Sequence, residues 1–223
     1  MDTHKRQLDR ELSDLKGSLI GMAELAEQVV DRAVEELASR NRSLADGIPQ
    51  QEEKINRLQI AIDDKALTLL ATRQPVANDL RAIVAAMKIN AELERIGDLA
   101  VNISTKVDFL LTVPPLKPLI DIPRMADLAR GMVRDSVKAF QSGDILLAQT
   151  VRMTDDKVDD LRDQVLRELF TYMIADPQSI ERAMALMLIA QTLERVGDHA
   201  TNIAEDVIYM VKGQDVRHPQ IPR

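Results

Sequence analysis

The chain has 223 residues, 45% of them apolar and only 2% aromatic, with a formal net charge of -7 and a pI near 5.1. That balance gives no long-range attraction for nucleic acid or an anionic membrane surface, and the absence of cysteine excludes disulfides, thiolate metal sites and iron–sulfur ligation. With only His4, His199 and His218, an imidazole-rich metal centre is excluded as well.

The amino terminus leads straight into an amphipathic pattern without the apolar core of a signal peptide. The longest apolar run, residues 184–190, is too short to span a bilayer, so a soluble, cytoplasmic protein is expected. From about residue 3 to 40, Leu8, Leu12, Leu15, Leu19, Met22, Val29 and Leu37 recur at steps of three and four, which predicts one long helix with a single buried stripe. Asn41 and Ser43 offer caps, Gly47 and Pro49 mark an irregular start, and a second helix is clear from Glu52 through Leu70. After Pro75 a third runs from about Asp79 to Leu111 with apolar residues on several sides, as a helix with more than one neighbour requires.

Residues 113–123 hold four prolines in eleven positions, which no helix interior tolerates. Three more helices follow, from about 123 to 140, on to about 172, and on to about 211, with Asp144 and Asp176 as N-caps and Pro177 at a first helical position. No segment reads as a strand. The expected fold is all-α: two tandem three-helix up-and-down bundles at 1–113 and 123–213, a proline-rich linker at 114–122, and a tail at 214–223. The run containing Met184 and Met187, with Met210, reads as core, and His4 and His218 as terminal surface residues.

The plan is a duplication. Leu93-Glu94-Arg95-Ile96-Gly97-Asp98-Leu99-Ala100-Val101-Asn102-Ile103 and Leu193-Glu194-Arg195-Val196-Gly197-Asp198-His199-Ala200-Thr201-Asn202-Ile203 agree at 8 of 11 positions and stand 100 residues apart. One helix earlier, Glu52-Glu53-Lys54-Ile55-Asn56-Arg57-Leu58 is echoed by Asp155-Asp156-Lys157-Val158-Asp159-Asp160-Leu161. Four helical residues turn by only about 40° beyond a full circle, so Glu94, Asp98 and Asn102 form one oxygen-rich stripe and Glu194, Asp198 and Asn202 another. Carboxylates at i and i+4 repel, and Arg95, pointing roughly 100° away, is not expected to compensate them. An antiparallel neighbour would add Asp155 and Asp159 in the second half, but only Glu52 with the neutral Asn56 in the first. Such donors suit Mg²⁺, Mn²⁺ or Ca²⁺, or iron where carboxylates bridge. Gly97 and Gly197, each costing about 1 kcal/mol against alanine inside a helix, point to close approach by a backbone, ion or side chain. Solvated or salt-bridged helix faces explain the same stripes.

No phosphate-loop, nucleophile-elbow or dinucleotide fingerprint is present, and no Glu-x-x-His pair of the di-iron type. The tandem motif, with an acidic segment one helix earlier, resembles the PhoU family of bacterial phosphate-transport accessory proteins over nearly the whole chain. The resemblance implies two three-helix bundles and an oligomer such as a homodimer. It also implies a non-enzymatic, negative regulator of the phosphate-starvation response, with the phosphate ABC transporter's ATPase subunit and a phosphate-sensing histidine kinase as partners. It further implies metal (Mg, Mn, Fe or Zn) on Glu94 and Asp98, on Glu194 and Asp198, and on Asp155 and Asp159; Glu52 and the stripe residues Asn102 and Asn202 are weaker candidates from their positions. A metal-dependent phosphohydrolase and a metal-free helical scaffold are the alternatives.

Overall fold

The computed structural model describes residues 2–217, with side chains from residue 6 onward, so the reading of His4 and His218 as surface side chains lies outside the described part. Six long helices account for the described chain: α1 (Asp2–Ser39), α2 (Ile48–Arg73), α3 (Asn78–Leu111), α4 (Asp121–Ser142), α5 (Ile145–Ala175) and α6 (Ile180–Lys212). No strand occurs among the described residues.

Local chemistry sets the breaks. Asn41 accepts from Ser43 N–H and opens a 3₁₀ stretch, Arg42–Gly47, that delivers the chain into α2 with Pro49 in its first turn. Gly143 ends α4 at φ 68°, where L side chains are strained, and Asp144 then caps α5 through the N–H groups of Leu146 and Leu147. Asp176 caps the short turn Pro177–Ser179 that leads into α6. The prolines between α3 and α4 lie in an irregular strap held by Arg40, which donates to the carbonyls of Leu111 and Val113, and by the buried Lys117, which pairs with Glu168 of α5.

The helices stack in two layers. α2, α3, α6 and α5 lie side by side in that order, with α1 and α4 packed behind them. Contacts fix the directions: Lys88 with Asp206 and Glu92 with His199 set α3 antiparallel to α6, and Lys16 with Gln141 and Asp31 with Arg130 set α1 antiparallel to α4. α3 and α1 thus each meet their own counterpart while α2 and α5 lie at the outer edges, and a pseudo-twofold axis passes where the two motif segments lie alongside each other. α3 packs against α1, α2 and α6, and α6 against α3, α4 and α5, which accounts for their apolar residues on several sides.

One continuous core runs through both halves. Ile83, Ile89, Leu93, Ile96 and Ile103 of α3, and Ile189, Leu193, Val196 and Ile203 of α6, are fully buried, each worth about 1.5–3 kcal/mol relative to exposure. Met187 and Met210 are core as expected, but Met184 is 47% exposed. It falls on the one side of α6 that no other helix covers.

Candidate metal and partner-contact site

The antiparallel register of α5 and α6 gathers the four predicted acids of the second half into one seam, Asp155 and Asp159 on α5 against Glu194 and Asp198 on α6. Burial, then the charges of Asp198 and Asp159, push the Asp155 carboxyl up to about 6. Glu194 is raised by burial and then by Asp198; Asp198 is raised by burial and then by Asp159. The charge repulsion expected from the spacing is therefore present and strengthened by partial desolvation.

Sequence reasoning missed the side chain that answers it. Arg162 stands 3.1 Å from Asp159 and 2.9 Å from Asp163, and also hydrogen-bonds Glu194 across the seam. Its place three residues after Asp159 was a usable signal, since i and i+3 side chains share a helix face.

The α2–α3 seam gathers fewer carboxylates. Glu94 is raised by burial and then by Asp98, with a smaller push from Glu52. Asn56 donates to Glu52 at 2.5 Å, so a neutral amide satisfies the carboxylate that a second acid would have repelled. Arg95, not an obvious compensator from its place on the helix, does stand beside both carboxylates. Its guanidinium lies 3.6 Å from Glu94 and 3.4 Å from Asp98, because a long flexible stem spans the angle that separates the Cβ atoms.

The asparagines that end the stripes do not join these clusters. Asn102 is exposed, while Asn202 donates to Glu92 of α3 at 3.2 Å, the same carboxylate that meets His199 Nδ1 at 2.5 Å. His199 and Asn202 therefore tie the halves together. Of the two glycines only Gly97 marks close approach: a Cβ there would stand 3.1 Å from Ile55 Cδ1, whereas one at Gly197 would stand at ordinary contact distances, 3.4 Å from Asp155 Oδ1 and 3.6 Å from Met132 Cε.

The donor set of the α5–α6 seam, four carboxylates under mutual repulsion with one raised to about 6, has the chemistry of a hard-cation site. Its geometry is not preassembled, because among the described residues no three acidic or histidine side chains are drawn together as metal ligands. Arg162 takes the cation's electrostatic place between Asp159 and Glu194. Two other hollows, about 730 Å³ beside Lys16 and Met210 and about 410 Å³ between α1 and α4, lie away from both seams.

A PhoU domain model matches residues 19–107 and again residues 122–207, so both halves carry the same unit. The chain belongs to the PhoU family. A phosphate-specific transport system accessory protein PhoU homolog of Aquifex aeolicus is 41% identical over 215 residues, covering 96% of this chain and 97% of the relative. Its counterpart in Pseudomonas putida is 38% identical, over 98% of this chain and 86% of that protein. The crystal structure of PhoU from Pseudomonas aeruginosa superposes with a TM-score of 0.88 at 36% identity, over 92% of this PhoU-family chain and 99% of the solved one. The phosphate transport system regulatory protein PhoU from Streptococcus pneumoniae superposes at 0.85 and 28% identity, over 94% and 99%. No helix among the described residues is long and apolar enough to cross a membrane.

Proposed function

We propose that this chain is a non-enzymatic accessory protein of phosphate transport that works from the cytoplasm as a negative regulator of the phosphate-starvation response. In this reading it contacts the ATPase subunit of the phosphate ABC transporter and a phosphate-sensing histidine kinase, and it acts as a homodimer. The observation that carries the reading is the PhoU domain match to both halves, together with named accessory proteins aligned over nearly all of this chain.

Asp155, Asp159, Glu194 and Asp198 would hold a divalent or trivalent cation, with Glu52, Glu94 and Asp98 as the weaker set. A cation there would supply positive charge, and the carboxylates would supply its oxygen ligands. The chain's own residues do the rest: Arg162 keeps the seam closed in its absence, and release of Arg162 frees Glu194 and Asp159. The desolvated Asp155 loses its proton more readily once positive charge stands beside it. With a cation held there, Asp159 and Glu194 would turn from Arg162 to the ion, and partners would meet a face without the arginine bridge.

The test is complementation. In a bacterium lacking its own PhoU-family protein, this chain should restore repression of a phosphate-starvation reporter when phosphate is plentiful. A reporter that stays fully derepressed although the folded chain accumulates would refute the regulatory reading.

A further inference from the structure

α1 and α4 lie side by side behind the other four helices, and no other helix among the described residues covers their outer sides. On α1 that side carries Gly17, Gly21, Glu24, Gln28, Asp31 and Glu35; on α4 it carries Arg124, Asp127, Gly131, Arg134, Lys138 and Gln141. Both rows advance by alternating steps of three and four, the spacing at which one helix packs along another. Among the described residues, none of the large exposed apolar side chains lies on α1 or α4, so charge and shape decide what fits here.

The charges are segregated. The α1 row holds the acids Glu24, Asp31 and Glu35 and no base, whereas the α4 row holds Arg124, Arg134 and Lys138 with one acid, Asp127. Among the described residues Glu24, Glu35, Arg124 and Lys138 form no ion pair, and Arg134 has only Asp135 at 3.8 Å. The cleft of about 410 Å³ between the helices keeps the two rows apart within one chain. The contacts of Lys16 with Gln141 and of Asp31 with Arg130 fix the heights: Glu24 stands level with Arg134, Glu35 with Arg124, Gly21 with Lys138, and Gln28 with Gly131. Each level thus offers either opposite charges or a long side chain and a glycine. Asp31 and Asp127 are the like-charged level, and Arg130 stands between them at 2.7 and 2.5 Å. A Cβ at Gly17 or Gly21 would meet nothing within 4 Å, so packing inside this chain does not explain two glycines that each cost about 1 kcal/mol against alanine in a helix.

A twofold axis parallel to α1 and α4 preserves height and exchanges the two helices. It lays the α1 row of each copy over the α4 row of the other, acid on base and glycine on long side chain, twice over. An axis across the helices would instead set α1 on α1 and acid on acid, which charge opposes. A face two helices wide, each about 10 Å across, and about 27 Å long approaches the roughly 800 Å² per partner that a stable interface takes. We infer that two copies of this chain associate back to back through α1 and α4, about a twofold axis parallel to those helices. The inference takes from the proposed function only the homodimer, and supplies its surface and its axis.

The experiment measures molar mass by light scattering over a range of protein concentrations, in low salt and in about 0.5 M NaCl. It compares the native chain, Glu24→Lys/Glu35→Lys, Arg124→Glu/Arg134→Glu, and an equal mixture of the two variants. All four positions are exposed, so thermal unfolding should stay near native, which separates lost contact from lost fold. The expected result is a native dimer whose Kd rises tenfold or more with salt, two variants that are monomeric alone, and a mixture that recovers the dimer, since each variant then meets its complement. A native dimer that salt leaves unchanged or strengthens, variants that dimerise like the native chain, or a mixture of folded variants that stays monomeric would each overturn this inference and leave the homodimer to another surface. A native chain that is monomeric throughout would remove both the inference and the homodimer.

Discussion

Asp155 and the paired glycines show how single side chains set the behaviour of the seams. An aspartate of ordinary value 3.8 pushed up to about 6 binds its proton more tightly folded than unfolded. Its contribution therefore favours the fold below pH 3.8 and is lost as pH rises through about 6. Asp155→Asn should raise stability at pH 7.5 by about 1 kcal/mol, after discounting for solvent screening, and the gain should vanish near pH 4 in denaturant titrations. An equal gain at both pH values would mean that charge is not the cause. The glycines should part company. At Gly97 the 3.1 Å approach is to the fully buried Ile55, which has no room to yield, so Gly97→Ala should lower stability by about 1 kcal/mol despite better helix propensity. At Gly197 the neighbours are Asp155 and the flexible Met132 at ordinary contact distances, so Gly197→Ala should leave the melting temperature unchanged or higher.

Among the elements, the α5–α6 pair carries the testable electrostatics. Arg162→Ala leaves Asp159, Glu194 and Asp198 without their shared guanidinium, and should cost about 1–2 kcal/mol at neutral pH. Millimolar Mn²⁺ or Mg²⁺ should restore much of that loss by supplying the missing positive charge, as a metal-dependent shift in melting temperature. A loss that no cation repairs would make Arg162 a packing residue. The helices themselves were legible in the sequence, because their apolar steps and stop signals at Gly143, Asp176 and the proline run are local. So was the convergence of Asp155 and Asp159 on Glu194 and Asp198, since the antiparallel pairing of successive helices follows from short connections. The reach of Arg95 was missed because projecting Cβ positions on a helical wheel ignores how far an arginine stem extends, whereas Arg162, three residues after Asp159, was legible on the same wheel and was overlooked. Asn202 looked like a continuation of the acidic stripe, but its partner, Glu92, lies in the other half and leaves no trace in the local pattern.

In the whole molecule, the repeat gave two bundles but not how they join. The antiparallel apposition of α3 with α6 and of α1 with α4 merges their cores and adds Lys88–Asp206 at 2.8 Å and Asp31–Arg130 at 2.7 Å across the junction. Unfolding by heat should accordingly be one cooperative transition, with calorimetric and van't Hoff enthalpies in agreement; two resolved transitions would mean that the halves are separable. The same junction places the duplicated motif at the centre of one face, with the two acidic seams on either side of it, and the account's central claim is that these seams hold cations. That claim is tested most directly by metal content. Elemental mass spectrometry of the purified chain, after Mn²⁺, Mg²⁺, iron or zinc loading and after chelation, should find metal bound in a fixed ratio to the native protein and little in Glu194→Ala/Asp198→Ala. No bound metal under any loading, or the same content in the double variant, would contradict it and leave the seams as arginine-bridged helix surface.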